Sequence, residues 1–170
     1  MSARSTAAGA QGRPKTHNVG LGQMSVAGAE ARLAIFGLGS CIGLVLWSPS
    51  IKTAVMSHIV LPSSKGARPL ASTPAKFADW AIPRALDILN DRGATTDDIV
   101  AKMVGGAHPL AAALGTPGQK NAELIMAALE EEGISVVGSD IGGSVGRTVV
   151  FSPDTGVMEI KFADGSMKHI

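Results

Sequence analysis

The single cysteine of the chain, Cys41, and a later histidine, His58, are residue types that can form a nucleophile and its base. Cys41 ends the glycine-rich segment 37–41 (GLGSC), which is typical of a tight turn between two strands. His58 lies in the next long apolar segment. A neighbouring imidazole can accept the proton of a thiol, and the thiolate can then attack a carbonyl carbon. The pair therefore suggests covalent acyl chemistry.

The strand pattern around these two residues allows their pairing to be predicted. Segments 42–47 and 53–61 are apolar runs typical of strands, and segment 48–51 between them has proline at its second position, as turns favour. With 48–51 as the loop, antiparallel pairing places Cys41 directly opposite His58. Such residues share a face with Cβ atoms about 4.5–5.5 Å apart, within reach of a hydrogen bond. A slip of one residue would place them on opposite faces.

The turn before the cysteine contains groups that can stabilise a negative charge. Gly37 and Gly39 permit a tight turn, and we expect Gly39 and Ser40 to support an oxyanion through backbone N–H groups. An imidazolium nearby would also lower the pKa of the Cys41 thiol. The alternative is structural, because a lone cysteine at a strand start is commonly a small buried hydrophobe, and a lone histidine in an apolar strand is commonly a core residue. The residue pattern alone leaves both open.

Composition limits the classes of function. The chain has 170 residues, of which 45% are hydrophobic and only 4% aromatic, which predicts one domain with an aliphatic core. A formal net charge of +1 gives no reason to expect nucleic acid as a partner. One cysteine forms no internal disulfide, and neither a secretory signal nor a membrane span is evident. We therefore expect a cytoplasmic protein without membrane insertion, and the histidine spacing predicts neither a metal site nor a cofactor.

The elements predicted along the chain are short strands and two helices. The first helix is expected to begin at Ser72 or Thr73, with Pro74 in its first turn and a kink at Pro83, and to stop near Gly93. The second is expected at 121–132, with Gly133 as its stop. Its predicted buried stripe is Leu124, Ile125, Ala128 and Leu129. Strands are predicted at 31–36, 42–47, 53–61, 99–104, 134–137, 148–151 and 157–162.

These elements predict the fold class and the domain limits. Strands outnumber helices and most are joined as hairpins, so we expect an α+β fold in which a mixed or antiparallel, sandwich-like sheet assembly is flanked by helices. Residues 1–17 are expected to be a disordered tail, residues 18–163 a single domain and residues 164–170 a polar tail.

Several segments, in this order, resemble the CheD family, the chemoreceptor glutamine deamidases of bacterial and archaeal chemotaxis. The resemblance covers about residues 18–162, and no one motif in it would be specific by itself. Its motifs are 37–41 (GLGSC), 57–62 (SHIVLP), 77–83 (FADWAIP), 102–107 (KMVGGA), 118–121 (GQKN) and 140–147 (DIGGSVGR).

The resemblance implies a reaction, a fold and partners. It implies a protein-glutamine glutaminase in which Cys41 attacks the side-chain amide carbon, His58 transfers the protons and water hydrolyses the thioester, with ammonia released. It also implies a fold like the deamidase domain of cytotoxic necrotizing factor toxins. The implied partners are methyl-accepting chemoreceptors and a CheC-type phosphatase. Gly142, Gly143 and Arg147 are expected near the cleft, with Arg147 either pairing structurally or contacting substrate.

One residue departs from the family pattern. The family usually has a threonine six residues before the nucleophile, thought to orient the histidine, and here that position is Ile35. The imidazole could instead be held by a backbone carbonyl or by a hydroxyl such as that of Ser40. A non-catalytic or weakly catalytic binding module that regulates a CheC-type phosphatase or receptors is the alternative function. A second histidine, His108, either lines the same cleft or, as its loop position favours, faces solvent.

Overall fold

The structure is a computed structural model that describes residues 12–108 and 117–170. Within these ranges the chain forms ten strands, two α-helices and a short 3-10 helix at Thr96–Asp98. The strands are β1 (Lys15–Asn18), β2 (Met24–Ala27), β3 (Ala31–Leu38), β4 (Ile42–Ser48), β5 (Thr53–Ile59), β6 (Val100–Gly105), β7 (Ser135–Ile141), β8 (Arg147–Ser152), β9 (Val157–Phe162) and β10 (Met167–His169). The helices are α1 (Ala78–Asn90) and α2 (Pro117–Glu131).

The strands form two five-stranded mixed sheets. Sheet I has the order β1-β3-β8-β9-β10, and sheet II the order β2-β5-β4-β6-β7. Each contains one parallel pair, β1 with β3 and β6 with β7, while the other pairs are antiparallel. The sheets share one aliphatic core, in which Leu33, Ile35 and Phe151 of sheet I meet Val45 and Met56 of sheet II. The predicted α+β class with a mixed sheet assembly and helices is therefore confirmed.

The two helices cover the other face of sheet II. Their apolar residues pack with Leu44, Leu46, Val55 and Met103 in a second core. Strand β4 contributes to both cores, and for this reason all of its residues except Trp47 are buried. A strand with both faces covered is expected to be apolar, as β4 is except at its last residue, Ser48. The molecule thus has three layers: sheet I, sheet II and the helices.

Both ends of the described chain contain strands where tails were expected. Residues 15–18 pair with β3 in parallel, so the predicted disorder of residues 1–17 is wrong for Lys15–His17, and residues 1–11 lie outside the described residues. At the other end β10 pairs with β9, and Ile170 exchanges two backbone hydrogen bonds with Met158. Polar composition was misleading in both places because edge strands expose most of their side chains.

The start of α1 differs from the prediction. The helix begins at Ala78 rather than at Ser72 or Thr73, because the residues before it are bonded elsewhere. Ala75 N–H donates to the carbonyl of Gly22, and Phe77 forms a bridge with Leu61. The helix runs through Pro83 and ends at Asn90. The predicted stop near Gly93 is confirmed, with Gly93 at a φ of 94°.

The second helix is longer than predicted. It begins at Pro117 instead of residue 121, and Gly133, at a φ of 73°, follows its end as expected. Leu124 was placed in the buried stripe but is 58% exposed, whereas Ile125 and Leu129 are fully buried. Neither α1 nor the described α2 is long and apolar enough to cross a membrane.

Candidate active site

Cys41 lies in the turn between β3 and β4 and is half-buried. The end of β3 has an irregular register between Ile35 and Leu38, and Gly37 in that bulge has a φ of 69°. The Cys41 carbonyl accepts a hydrogen bond of 3.0 Å from Gly106 N–H. Gly105 packs so closely beneath this carbonyl that a Cβ on it would lie 2.1 Å from the oxygen. The nucleophile candidate is therefore seated on the end of β6.

The predicted register between Cys41 and His58 is wrong by two residues. Gly43, not Cys41, lies opposite His58, because the β4–β5 hairpin pairs Ser48 with Thr53. Ser48 is fully buried and its hydroxyl donates to the Asp98 carboxylate, which keeps this residue in the strand rather than in the loop. A shift of two residues preserves the face, since side chains alternate with a period of two.

Cys41 and His58 consequently share a face as diagonal rather than direct neighbours. Both side chains belong to the face of sheet II that meets sheet I: Cys41 packs on the core between the sheets, and His58 follows its members Ala54 and Met56 at strand spacing. Diagonal neighbours have Cα atoms about 7–8 Å apart and Cβ atoms somewhat closer. Among the hydrogen bonds of the described residues, none joins the Cys41 sulfur to the His58 ring.

One short segment holds His58 through three of its groups. The ring Nδ1 lies 3.4 Å from the carbonyl oxygen of Val19. The His58 backbone donates to Gln23 O at 2.9 Å and accepts from Gly22 N–H at 3.0 Å. Because a carbonyl can only accept, Nδ1 carries the hydrogen and Nε2 of the neutral ring is left as the basic nitrogen. Of the two expected substitutes for threonine, the structure has the backbone carbonyl.

Burial determines the protonation of both groups. It raises the pKa of the Cys41 thiol above its usual range, opposite to the direction expected from the sequence. Burial also lowers the pKa of His58, and the bond to Val19 opposes this only in part. Lost hydration disfavours the charged form of each group. Both shifts favour a neutral thiol beside a neutral imidazole over a preformed thiolate and imidazolium.

Ile35 fills the space above the residue opposite His58. It is fully buried in the core between the sheets and pairs with Val149 of β8. Its Cδ1 would lie 3.1 Å from a Cβ built on Gly43. The threonine position is thus adjacent to the histidine, but it presents a methyl group there and has no group that can hydrogen-bond.

A cavity of about 330 Å³ lies beside the turn that contains Cys41. Its walls are Gly39 and Ser40 of that turn, Ala107 and His108 after β6, and Ser144 and Gly146 before β8. Ala107 N–H donates to Gly39 O at 3.0 Å, which ties two of these walls together. His108 is half-buried and lines this cavity, so it is not the fully solvent-facing residue that its loop position favoured; Cys41 and His58 are not among the described residues that line the cavity.

Arg147 supports the cleft from behind. It is 3% exposed and donates to the carbonyls of Asp140 and Gly142 as well as to the Asp140 carboxylate. Lys168 pairs with the same carboxylate from β10 at 2.8 Å. The guanidinium also lies over the Phe162 ring, 5.2 Å from its centroid. Of the two expected roles for Arg147, structural pairing is therefore the one that its contacts support.

Gly142 and Gly143 connect Arg147 to the cleft through backbone bonds. Gly142 N–H donates to Gly105 O at 2.8 Å, and Gly143 O accepts from His108 N–H at 2.8 Å. Each has a positive φ, 86° and 75°, which explains the paired glycines. Neither is among the residues that line the cavity of about 330 Å³, so both position its walls.

Sequence reasoning missed the part played by Val19. Its side chain is an ordinary buried aliphatic group, and its functional atom is a backbone oxygen that any residue would supply. Gly105 was noted only within the motif 102–107, although it packs directly against the Cys41 carbonyl. In the described part of the chain, no group of three or more His, Cys, Asp or Glu residues could hold a metal ion.

Comparison with known proteins gives consistent matches. The family profile described as "CheD chemotactic sensory transduction" matches residues 60–162, a segment that begins two residues after His58. A relative from Symbiobacterium thermophilum, named "Probable chemoreceptor glutamine deamidase CheD", is 38% identical over 81% of this chain and 87% of its own length.

Two further relatives agree. A protein of the same name from Archaeoglobus fulgidus is 36% identical over 86% of this chain and 93% of its own. "Chemoreceptor glutamine deamidase CheD" from Halalkalibacterium halodurans is 35% identical over 89% of this chain and 96% of its own. The aligned share is large on both sides in every case.

Proposed function

Because the chain belongs to the CheD family, we propose that it is a chemoreceptor glutamine deamidase, which converts selected receptor glutamines to glutamates with release of ammonia. The observation that carries this proposal is the pair of Cys41 and His58 on one face of sheet II, with the ring held through Nδ1 by Val19. This arrangement leaves Nε2 as the proton acceptor that an attacking thiol needs.

The proposed reaction follows the usual course of cysteine acyl transfer. His58 Nε2 accepts the Cys41 proton while the sulfur attacks the amide carbon of the substrate glutamine, forming a tetrahedral oxyanion. Collapse of this intermediate breaks the C–N bond, and the imidazolium gives its proton to the leaving ammonia. Water, deprotonated by the same nitrogen, then hydrolyses the thioester to the glutamate carboxylate and the free thiol.

The neutral resting pair affects how this chemistry starts. The thiol pKa is raised and the imidazole pKa is lowered, so proton transfer accompanies the attack instead of preceding it. The diagonal placement requires the thiol to turn towards the ring by a side-chain rotation when substrate binds. Apo active sites commonly have longer catalytic contacts than their substrate complexes.

The bond between His58 and Val19 weakens the argument for a non-catalytic binding module. That alternative was motivated by Ile35, which offers no hydrogen bond to the imidazole. Since a carbonyl from the N-terminal segment orients the ring instead, the missing threonine does not by itself remove the base. We keep deamidation as the proposed activity.

Further parts of the proposal concern partners, location and fold kinship. The relatives' names support chemoreceptors as substrates and hence action at their cytoplasmic domains. A CheC-type phosphatase as regulatory partner, and a fold shared with the deamidase domain of cytotoxic necrotizing factor toxins, follow from the resemblance of the motifs.

Ammonia release from the cytoplasmic domain of a chemoreceptor of the same organism tests the function. Wild-type protein should release ammonia, and mass spectrometry should locate glutamates where glutamines stood. Cys41→Ala should abolish both, and His58→Gln should slow both by at least about a hundredfold, the usual size of general-base effects. His169→Gln, on an exposed strand position, is the matched control and should keep wild-type rates. Unchanged turnover in Cys41→Ala would refute the mechanism.

A further inference from the structure

Two histidines flank the turn that carries Cys41, one on each side of β4. His58 comes from β5, and His108 follows the end of β6, the other neighbour of β4. Ile42, the residue after the nucleophile, pairs with Ile59 on one side and with Gly105 on the other. The reaction proposed above uses only the first of these imidazoles, and His108 has no part in it.

Backbone bonds on both sides fix His108 at the cavity wall. Its own N–H donates to Gly143 O at 2.8 Å, and the preceding residue, Ala107, donates to Gly39 O at 3.0 Å. Gly143 belongs to the loop that Arg147 clamps through the carbonyls of its neighbours. His108 is thus held between the turn that carries Cys41 and the loop bound by Arg147. Because these elements already fix its position, it can contact a substrate without a rearrangement of the backbone.

The chemistry of the cavity fits the end of a glutamine side chain. Its other walls are small residues, Gly39, Ser40, Ala107, Ser144 and Gly146, which supply space, two hydroxyls and backbone groups. A primary carboxamide has both donors and acceptors, and an imidazole can serve either, according to its tautomer. Among the described residues that line this cavity, His108 is the only one with a titratable side chain.

We propose that His108 is a substrate-contacting residue that hydrogen-bonds the carboxamide of the target glutamine in the cavity beside Cys41. This inference rests on the proposed deamidation for the identity of the substrate. His58 is then the base that acts on the thiol, and His108 binds the group under attack. Its contribution is to substrate affinity, because a hydrogen bond already formed in the ground state is retained in the transition state.

The steady-state kinetics of three variants test this assignment. His108→Ala should raise KM for the receptor domain about fivefold, the usual effect of one lost hydrogen bond, and change kcat by less than about twofold. His108→Asn, which can still donate and accept, should recover most of the affinity. His169→Ala, the exposed control, should match wild type. An unchanged KM in His108→Ala, a fall in kcat alone, or no recovery by Asn would overturn the proposal.

A second measurement needs no turnover and so separates this proposal from the function. Iodoacetamide carries a primary carboxamide, whereas methyl methanethiosulfonate modifies thiols without one. His108→Ala should slow alkylation of Cys41 by iodoacetamide about threefold relative to methyl methanethiosulfonate, and His169→Ala should leave the ratio unchanged. If wild-type protein released no ammonia, deamidation would be refuted, but this ratio of modification rates would still test whether His108 binds a carboxamide in the cavity. An equal ratio in wild type and His108→Ala would overturn carboxamide recognition.

Discussion

Gly105→Ala should disable the site through the backbone of the nucleophile. A Cβ on Gly105 would lie 2.1 Å from the Cys41 carbonyl oxygen, and the carbonyl must retreat by roughly 1 Å to reach an ordinary contact. Gly105 also has a φ of 126°, which costs an alanine about 1–3 kcal/mol. A displacement of this size at the reacting group reduces kcat about a hundredfold. We expect that loss, together with a fall of about 3 kcal/mol in the free energy of unfolding.

Gly93→Ala is the matched control for this prediction. Gly93 has a comparable φ of 94°, and a Cβ on it would meet nothing within 4 Å. It follows α1, away from the Cys41 turn, so the control has the conformational strain without the clash. Urea denaturation should show a loss of about 1–2 kcal/mol for Gly93→Ala, and ammonia release should stay at the wild-type rate. Folded Gly105→Ala protein with wild-type kcat would refute the view that β6 seats the nucleophile.

Three further outcomes follow from the contacts of the site. Ile35→Thr should lower the free energy of unfolding by about 2 kcal/mol, since it buries a hydroxyl. It should also raise kcat about threefold, because the hydroxyl offers the His58 imidazole a closer partner than the Val19 carbonyl at 3.4 Å. Ile35→Val should lose only stability, and an equal gain in kcat there would contradict this reason. Arg147→Ala should cost about 3 kcal/mol in urea denaturation, because it removes a buried guanidinium together with its hydrogen bonds to the Asp140 carboxylate and to the Gly142 carbonyl. Lys168→Ala, which removes the exposed partner of the same carboxylate, should cost under about 1 kcal/mol. Equal losses in the two variants would be inconsistent with a structural role for Arg147. Because burial raises the pKa of the Cys41 thiol, the thiolate fraction is small at neutral pH. The rate at which iodoacetamide alkylates Cys41 should therefore rise roughly tenfold per pH unit from about pH 7 to about pH 9. A plateau of that rate near pH 7 would indicate a preformed thiolate instead.

Side-chain patterns predicted the central strands well, because a strand that is buried on both faces has an apolar sequence that is easy to recognise. Every residue of β4 is apolar or small, and the structure covers both of its faces. The shared face of Cys41 and His58 was also predicted, because it requires a hairpin loop with an even number of residues, and both the predicted loop 48–51 and the observed loop 49–52 have four. The register itself was not, because Ser48 stays in the strand through a hydrogen bond to Asp98, which lies far along the chain.

Interactions made by backbone atoms could not be predicted from the pattern of side chains. The bond that orients His58 comes from the carbonyl of Val19, and any residue type there supplies the same oxygen. The late start of α1 has a similar origin, because Ala75 N–H bonds to Gly22 instead of entering a helical turn. The sequence contains a local signal for a helix start, Thr73 followed by Pro74, but hydrogen bonds to distant parts of the chain prevent a helix from forming there.

In the proposed mechanism Cys41 forms a thioester with a receptor glutamine while His58 transfers the protons. Acid-quenched mass spectrometry of the protein during turnover of a glutamine-containing receptor peptide would detect this thioester. We expect an adduct on the peptide that contains Cys41, with the mass of the substrate less one ammonia, and a much slower rise of that adduct in His58→Gln. Deamidation that proceeds in wild type with no such adduct, or with an adduct on another residue, would contradict it.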